Sequence, residues 1–150
     1  MEKEYNQLRK KYKLPRWKEL DKGFQISTIE SKKFLLKEIA KKINEKIEFF
    51  SSLLEEIFNP ETKLSSLHES NTFNDEEKKE VLKIYRKLYF YYRKNSYLEI
   101  SYDEKETAEY IKEFFDAWQT IKPELKKIIT KIKDSWNSDK KTNLELSYFG

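Results

Sequence analysis

Leu35, Leu36, Ile39, Ile43, Ile47, Phe50, Leu53, Leu54 and Ile57 recur at helical spacing and fall within about a third of a wheel drawn at roughly 100° per residue. A stripe of that width and length is buried most simply against other helices, so it constrains the fold before any other element is considered. Punctuation is sparse, with two glycines and three prolines in 150 residues, so each Pro, Gly and Asn/Asp cluster carries weight as a boundary. Ser27 with Glu30 has the spacing of a capping box and Asn59-Pro60 stops the run, which predicts a helix over 28–58, about 46 Å long at 1.5 Å per residue.

The other elements follow from the same signals. Tyr5, Leu8 and Tyr12 place a short helix in residues 3–13, and Pro15 opens a short turn that Gly23 closes. A brief helix after Pro60 leads to a loop over Glu69–Phe73. Asn74 caps the next helix, expected over 75–95, with Asp75, Glu76 and Glu77 at the positive end of its dipole. Asp103 with Glu106 caps the last, expected over 104–136, where Ile111, Phe114, Phe115, Trp118, Ile121, Leu125, Ile128, Ile129, Ile132 and Trp136 hold one phase. Pro123 projects opposite that stripe, where a kink or a break into two helices is tolerated.

Leu98-Glu99-Ile100-Ser101-Tyr102 and Leu144-Glu145-Leu146-Ser147-Tyr148 alternate apolar and polar residues with the period of a strand, as does Phe24-Gln25-Ile26-Ser27. Either these pair as a minor two- or three-stranded β element, or 98–102 is a frayed helix end and 144–148 a loose tail. The fold class expected is therefore all-α: one domain over 1–150, an antiparallel bundle of three longer helices, short N-terminal helices within 1–23, and a tail or short strand over 138–150.

The chemistry open to the chain is narrow. Without cysteine there is no disulfide, thiolate zinc site, iron–sulfur cluster or cysteine nucleophile. Gly23 and Gly150 cannot build a glycine-rich phosphate loop, and His68 alone cannot supply a His pair or an HExxH site. Ser65-Ser66-Leu67-His68-Glu69 holds serine, imidazole and carboxylate together, but triads are assembled from distant positions, and His68 reads as an exposed histidine on a loop or short helix. Glu55-Glu56 and Asp75-Glu76-Glu77 read as solvated helix ends, since no Glu stands three residues before His68 as a carboxylate metal site would need. No catalytic residue, cofactor or metal ligand is assigned. The charged start at Met1–Tyr5 and the lack of a long apolar run predict a soluble chain of the cytoplasm without a transmembrane segment.

Net charge is +4, with +2 in each half, and only Arg9, Arg16, Arg86 and Arg93 among the 31 basic residues are arginine. Two basic stretches are interleaved with aromatics. Arg9, Lys10, Lys11, Tyr12, Lys13, Arg16, Trp17 and Lys18 lie in a ten-residue run without an acid, which could follow a phosphate backbone or fasten the N-terminal helix through Trp17. In helix 75–95, Val81, Tyr85, Leu88 and Tyr92 form the core stripe, and Lys79, Lys83, Arg86, Lys87, Arg93 and Lys94 lie on the far side. Phe90 projects from the middle of that basic face and Tyr97 joins it if the helix persists. Lys78 to Tyr97 carries a net +6. Phe90 is either a docking residue or part of a second packing cluster beneath the N-terminal segment or the C-terminal tail.

The reversed charge order of helix 28–58, lysines first and Glu48, Glu55 and Glu56 last, suggests that its acidic end faces Lys78, Lys79 and Lys83. A surface is easier to supply than a catalytic constellation, so a non-catalytic protein-interaction module is the leading expectation, with an RNA- or DNA-binding helical protein as the alternative.

Overall fold

A computed structural model describes residues 1–137 of the chain. Its elements are α1 (Glu2–Tyr12), α2 (Trp17–Phe24), a 3₁₀ turn (Ile26–Thr28), α3 (Leu35–Phe58), α4 (Leu64–Asn71), α5 (Asp75–Leu98) and α6 (Glu104–Ser135). Among the described residues the fold is all-helical, with no strand, and no helix is long and apolar enough to cross a membrane.

Of the two readings, the β element does not form among the described residues and the helix-end reading of 98–102 holds. Phe24–Ser27 is the end of α2 and its 3₁₀ turn, and 98–102 is the end of α5 followed by a turn in which Ile100 is exposed. Alternation over five residues is too short to outweigh a helix already propagating from Asp75. The 144–148 segment lies outside the described residues.

Two of the three predicted caps form. The Glu77 backbone N–H donates to Asn74 Oδ1 at 2.8 Å while Asn74 N–H donates to Glu77 Oε1 at 3.0 Å, a reciprocal box at the start of α5. The Glu106 N–H donates to Asp103 Oδ1 at 2.8 Å. Ser27 caps nothing, because its own N–H is bonded to Asp21 Oδ1 and α3 begins only at Leu35, after Phe34 turns the backbone to φ 55°. Gly23 sits inside α2 rather than closing a turn. The left-handed positions fall instead to Lys13, Gln25 and Phe34, each costing roughly 1–2 kcal/mol that a glycine would avoid. α6 runs unbroken through Pro123, which is exposed as its phase requires.

The described residues form two compact units, 1–49 with 89–119 and 50–88 with 120–137, so each of the three long helices contributes to both. In the first, Leu36, Ile39, Ile43 and Ile47 of α3 are buried, as are Phe24 of α2 and Ile111, Phe114 and Trp118 of α6. The Phe24 ring packs 5.7 Å from Phe114 and 5.8 Å from Trp118. In the second, Leu54, Ile57, Phe73, Val81, Ile84, Leu88, Ile121, Leu125 and Ile132 are buried, as are Ser66, His68 and Ser70 of α4.

Candidate functional site

The aromatic part of the predicted α5 face lies in the first unit. Leu88 and Asn95 turn inward, and the 100° step that buries them directs Phe90 and Tyr97 outward, 60% and 63% exposed. The Phe90 ring meets the edge of Tyr91 at 5.2 Å, with the Lys94 ammonium 5.7 Å from its centroid. Lys94 is also ion-paired to Glu113 of α6. Arg93 donates to Tyr89 Oη at 2.7 Å and lies 5.0 and 5.1 Å from the Tyr89 and Tyr92 rings, which stack on each other at 5.3 Å. The spacing Tyr89-x-x-Tyr92-Arg93 is the i, i+3, i+4 signal that could have revealed this stack in advance. Tyr91 faces the core, where burial raises its hydroxyl pKa.

The remaining residues of that face belong to the second unit. Lys79 pairs with Glu76 at 3.1 Å and Lys83 with Glu80 at 3.0 Å, both within α5. Acids one turn away on the same helix thus partner these two lysines. Arg86 and Lys87 are exposed and make no ion pair among the described residues. Phe73, Val81, Ile84 and Ile128 floor a cleft of about 540 Å³ in this unit, which the sequence reading missed because its two sides lie on helices some forty residues apart.

The run from Arg9 to Lys18, in the first unit, is fastened through its aromatics. Tyr12 Oη donates to Glu104 Oε1 at 2.6 Å, a bond that raises the pKa of the phenol. Lys11 lies 5.1 Å from the Tyr12 ring and 3.6 Å from Glu104. Half-buried Trp17 packs 5.5 Å from Tyr5, a fully buried ring whose hydroxyl donates to the Pro15 carbonyl and whose pKa is raised by burial. Arg9 and Lys10 end α1, and Lys13 supplies its left-handed cap. Arg16 and Lys18, at the start of α2, remain exposed.

His68 is not an exposed histidine: it is 2% exposed, because α4 turns it into the second unit toward a residue 67 positions away. Its Nε2 lies 3.1 Å from Ser135 Oγ, and Ser135 donates its own proton to the Ile132 carbonyl at 2.6 Å. The Trp136 ring lies 4.0 Å from the imidazole, tilted by 38°, and donates its indole N–H to Glu69 at 2.9 Å. Among the described residues no group of three acidic or His residues could hold a metal ion. No family model matches this chain, nor does any curated protein or solved structure.

Proposed function

We propose that this protein is a non-catalytic interaction module that docks a partner protein through Phe90, Arg93, Lys94 and Tyr97 of α5. The exposure of Phe90 carries this reading: a large ring 60% exposed and framed by cations has the anatomy of an interface anchor with a polar rim. The matching surface is an apolar pocket edged by carboxylates. The reading of the same helix as a nucleic-acid surface has weaker support. Lys79, Lys83 and Lys94 each already face a glutamate, which lowers the local potential a polyanion would feel. We infer also that the three longer helices pack as an antiparallel bundle. Its support, for the α5–α6 pair, is that Glu77 near the start of α5 reaches Lys131 late in α6 within the second unit, and Lys94 late in α5 reaches Glu113 early in α6 within the first.

Capture by the immobilised full chain, with and without nuclease and across a salt series, tests the reading. A partner protein retained after nuclease and lost with Phe90→Ala is the expected result. Retained nucleic acid that leaves with salt and with Arg86→Glu plus Lys94→Glu, while Phe90→Ala leaves a capture of protein unchanged, would overturn it.

A further inference from the structure

The cleft of the second unit lies along α5 and α6, and its charges are unevenly satisfied. Along its sides Lys83 faces Glu80 at 3.0 Å and Lys127 faces Glu124 at 3.4 Å. One end is closed by the Glu77–Lys131 ion pair, with Lys131 5.1 Å from the centre of the Phe73 ring. The Asn74 backbone N–H and Lys131 together hold the Glu77 carboxyl below the usual carboxylate range. Three of the four lining lysines thus have a carboxylate. Lys87, ten residues along α5 from Glu77, has none among the described residues.

We propose that this cleft binds a small amphipathic anion, specifically an unbranched alkyl carboxylate lying on Val81, Ile84 and Ile128 with its head group at Lys87. The volume of about 540 Å³ is in the range of small-molecule sites. From Glu77 to Lys87 the cleft extends about 15 Å at 1.5 Å per residue, which accommodates a medium-length acyl chain and is short for a docked peptide helix. The apolar floor provides no hydrogen-bonding groups and so accepts methylenes, while the paired glutamates on both sides disfavour a second negative charge along the body of the ligand. A cationic head group would meet Lys87 without compensation, and a neutral one would leave that ammonium with water alone.

The test is a titration of the full chain with decanoate and decyltrimethylammonium below their micelle-forming concentrations and decanol below its solubility limit, read from the methyl signals of Val81, Ile84 and Ile128. Decanoate should shift these three saturably while Ile43 and Ile111, in the other unit, stay still. Adding two methylenes to the chain should tighten binding about tenfold. Lys87→Ala should weaken decanoate about two- to fivefold and leave decanol unchanged, with an unaltered melting curve because the side chain is exposed. Ile128→Trp, at a half-buried position, should fill the cleft and block decanoate in a protein that melts as before. Equal binding of decanoate and decanol, stronger binding of the cationic probe, shifts spread equally to Ile100, or no saturable shift would each overturn the proposal.

Discussion

Residues 9–18 and 89–97 look alike as sequence, cations interrupted by rings, yet the fold uses them in opposite ways. In the first, both rings turn toward the protein: Tyr12 is bonded to Glu104 and Trp17 packs on Tyr5, leaving lysine heads on the outside. In the second, the inward phase of α5 is taken by Leu88 and Asn95, so Phe90 and Tyr97 are left in solvent among the cations. Composition therefore does not separate a fastening from a docking surface. The phase of each ring against its helix's buried stripe does.

Truncation gives the largest test of that contrast. Tyr5→Ala removes a fully buried ring together with its bond to Pro15, and should cost about 3–5 kcal/mol; Trp17→Ala, half-buried, should cost about 2 kcal/mol. Phe90→Ala should stay within about 0.5 kcal/mol. Urea melts of the three variants check the order, and a loss at Phe90 comparable with that at Tyr5 would break the comparison. A finer version removes single hydroxyls. Tyr5→Phe deletes a satisfied donor and should cost about 1 kcal/mol. Tyr110, 1% exposed beneath Tyr91, has a hydroxyl with no hydrogen-bond partner and a pKa raised by burial, so Tyr110→Phe should be neutral or stabilising.

What the sequence made legible follows the same division between local and distant causes. The stripe from Leu36 through Ile57 and the caps at Asn74 and Asp103 are written in neighbouring residues, and they appear where periodicity and spacing put them. The false cap at Ser27 has the correct letters, but its amide is claimed by Asp21 six residues earlier and Phe34 resets the backbone before α3 can start. The burial of His68 was not legible, because its partner Ser135 lies 67 residues away, beyond the reach of any local pattern. The outward position of Phe90 was legible from phase; the Glu113 partner of Lys94 was not, because helix pairing decides it.

Alkaline titration sharpens the fastened side of the comparison. The hydrogen bond to Glu104 raises the Tyr12 pKa above its ordinary 10.0, so the folded state favours the protonated phenol. Its contribution is complete below pH 10, where the unfolded chain also keeps the proton, and is lost as pH rises through the higher folded value. Tyr12→Phe should consequently lower the melting temperature by a constant amount at neutral pH, with the deficit shrinking above pH 10. A deficit that ignores pH would assign the loss to packing instead of the Tyr12–Glu104 bond.

The smallest effect concerns how Arg93 is held on the docking side. Its guanidinium spans the stacked Tyr89 and Tyr92 rings and donates to Tyr89 Oη at 2.7 Å, a planar contact that an ammonium cannot reproduce. Arg93→Lys keeps the charge and should cost about 0.5–1 kcal/mol of stability through the lost stacking. On the partner-binding side, a rigid guanidinium loses less side-chain freedom on docking than a free lysine does, so the substitution should raise the dissociation rate several-fold while association, which responds to charge, changes little. Were the association rate to fall instead, Arg93 would be acting as a steering charge and the tyrosine stack would carry no role in positioning it.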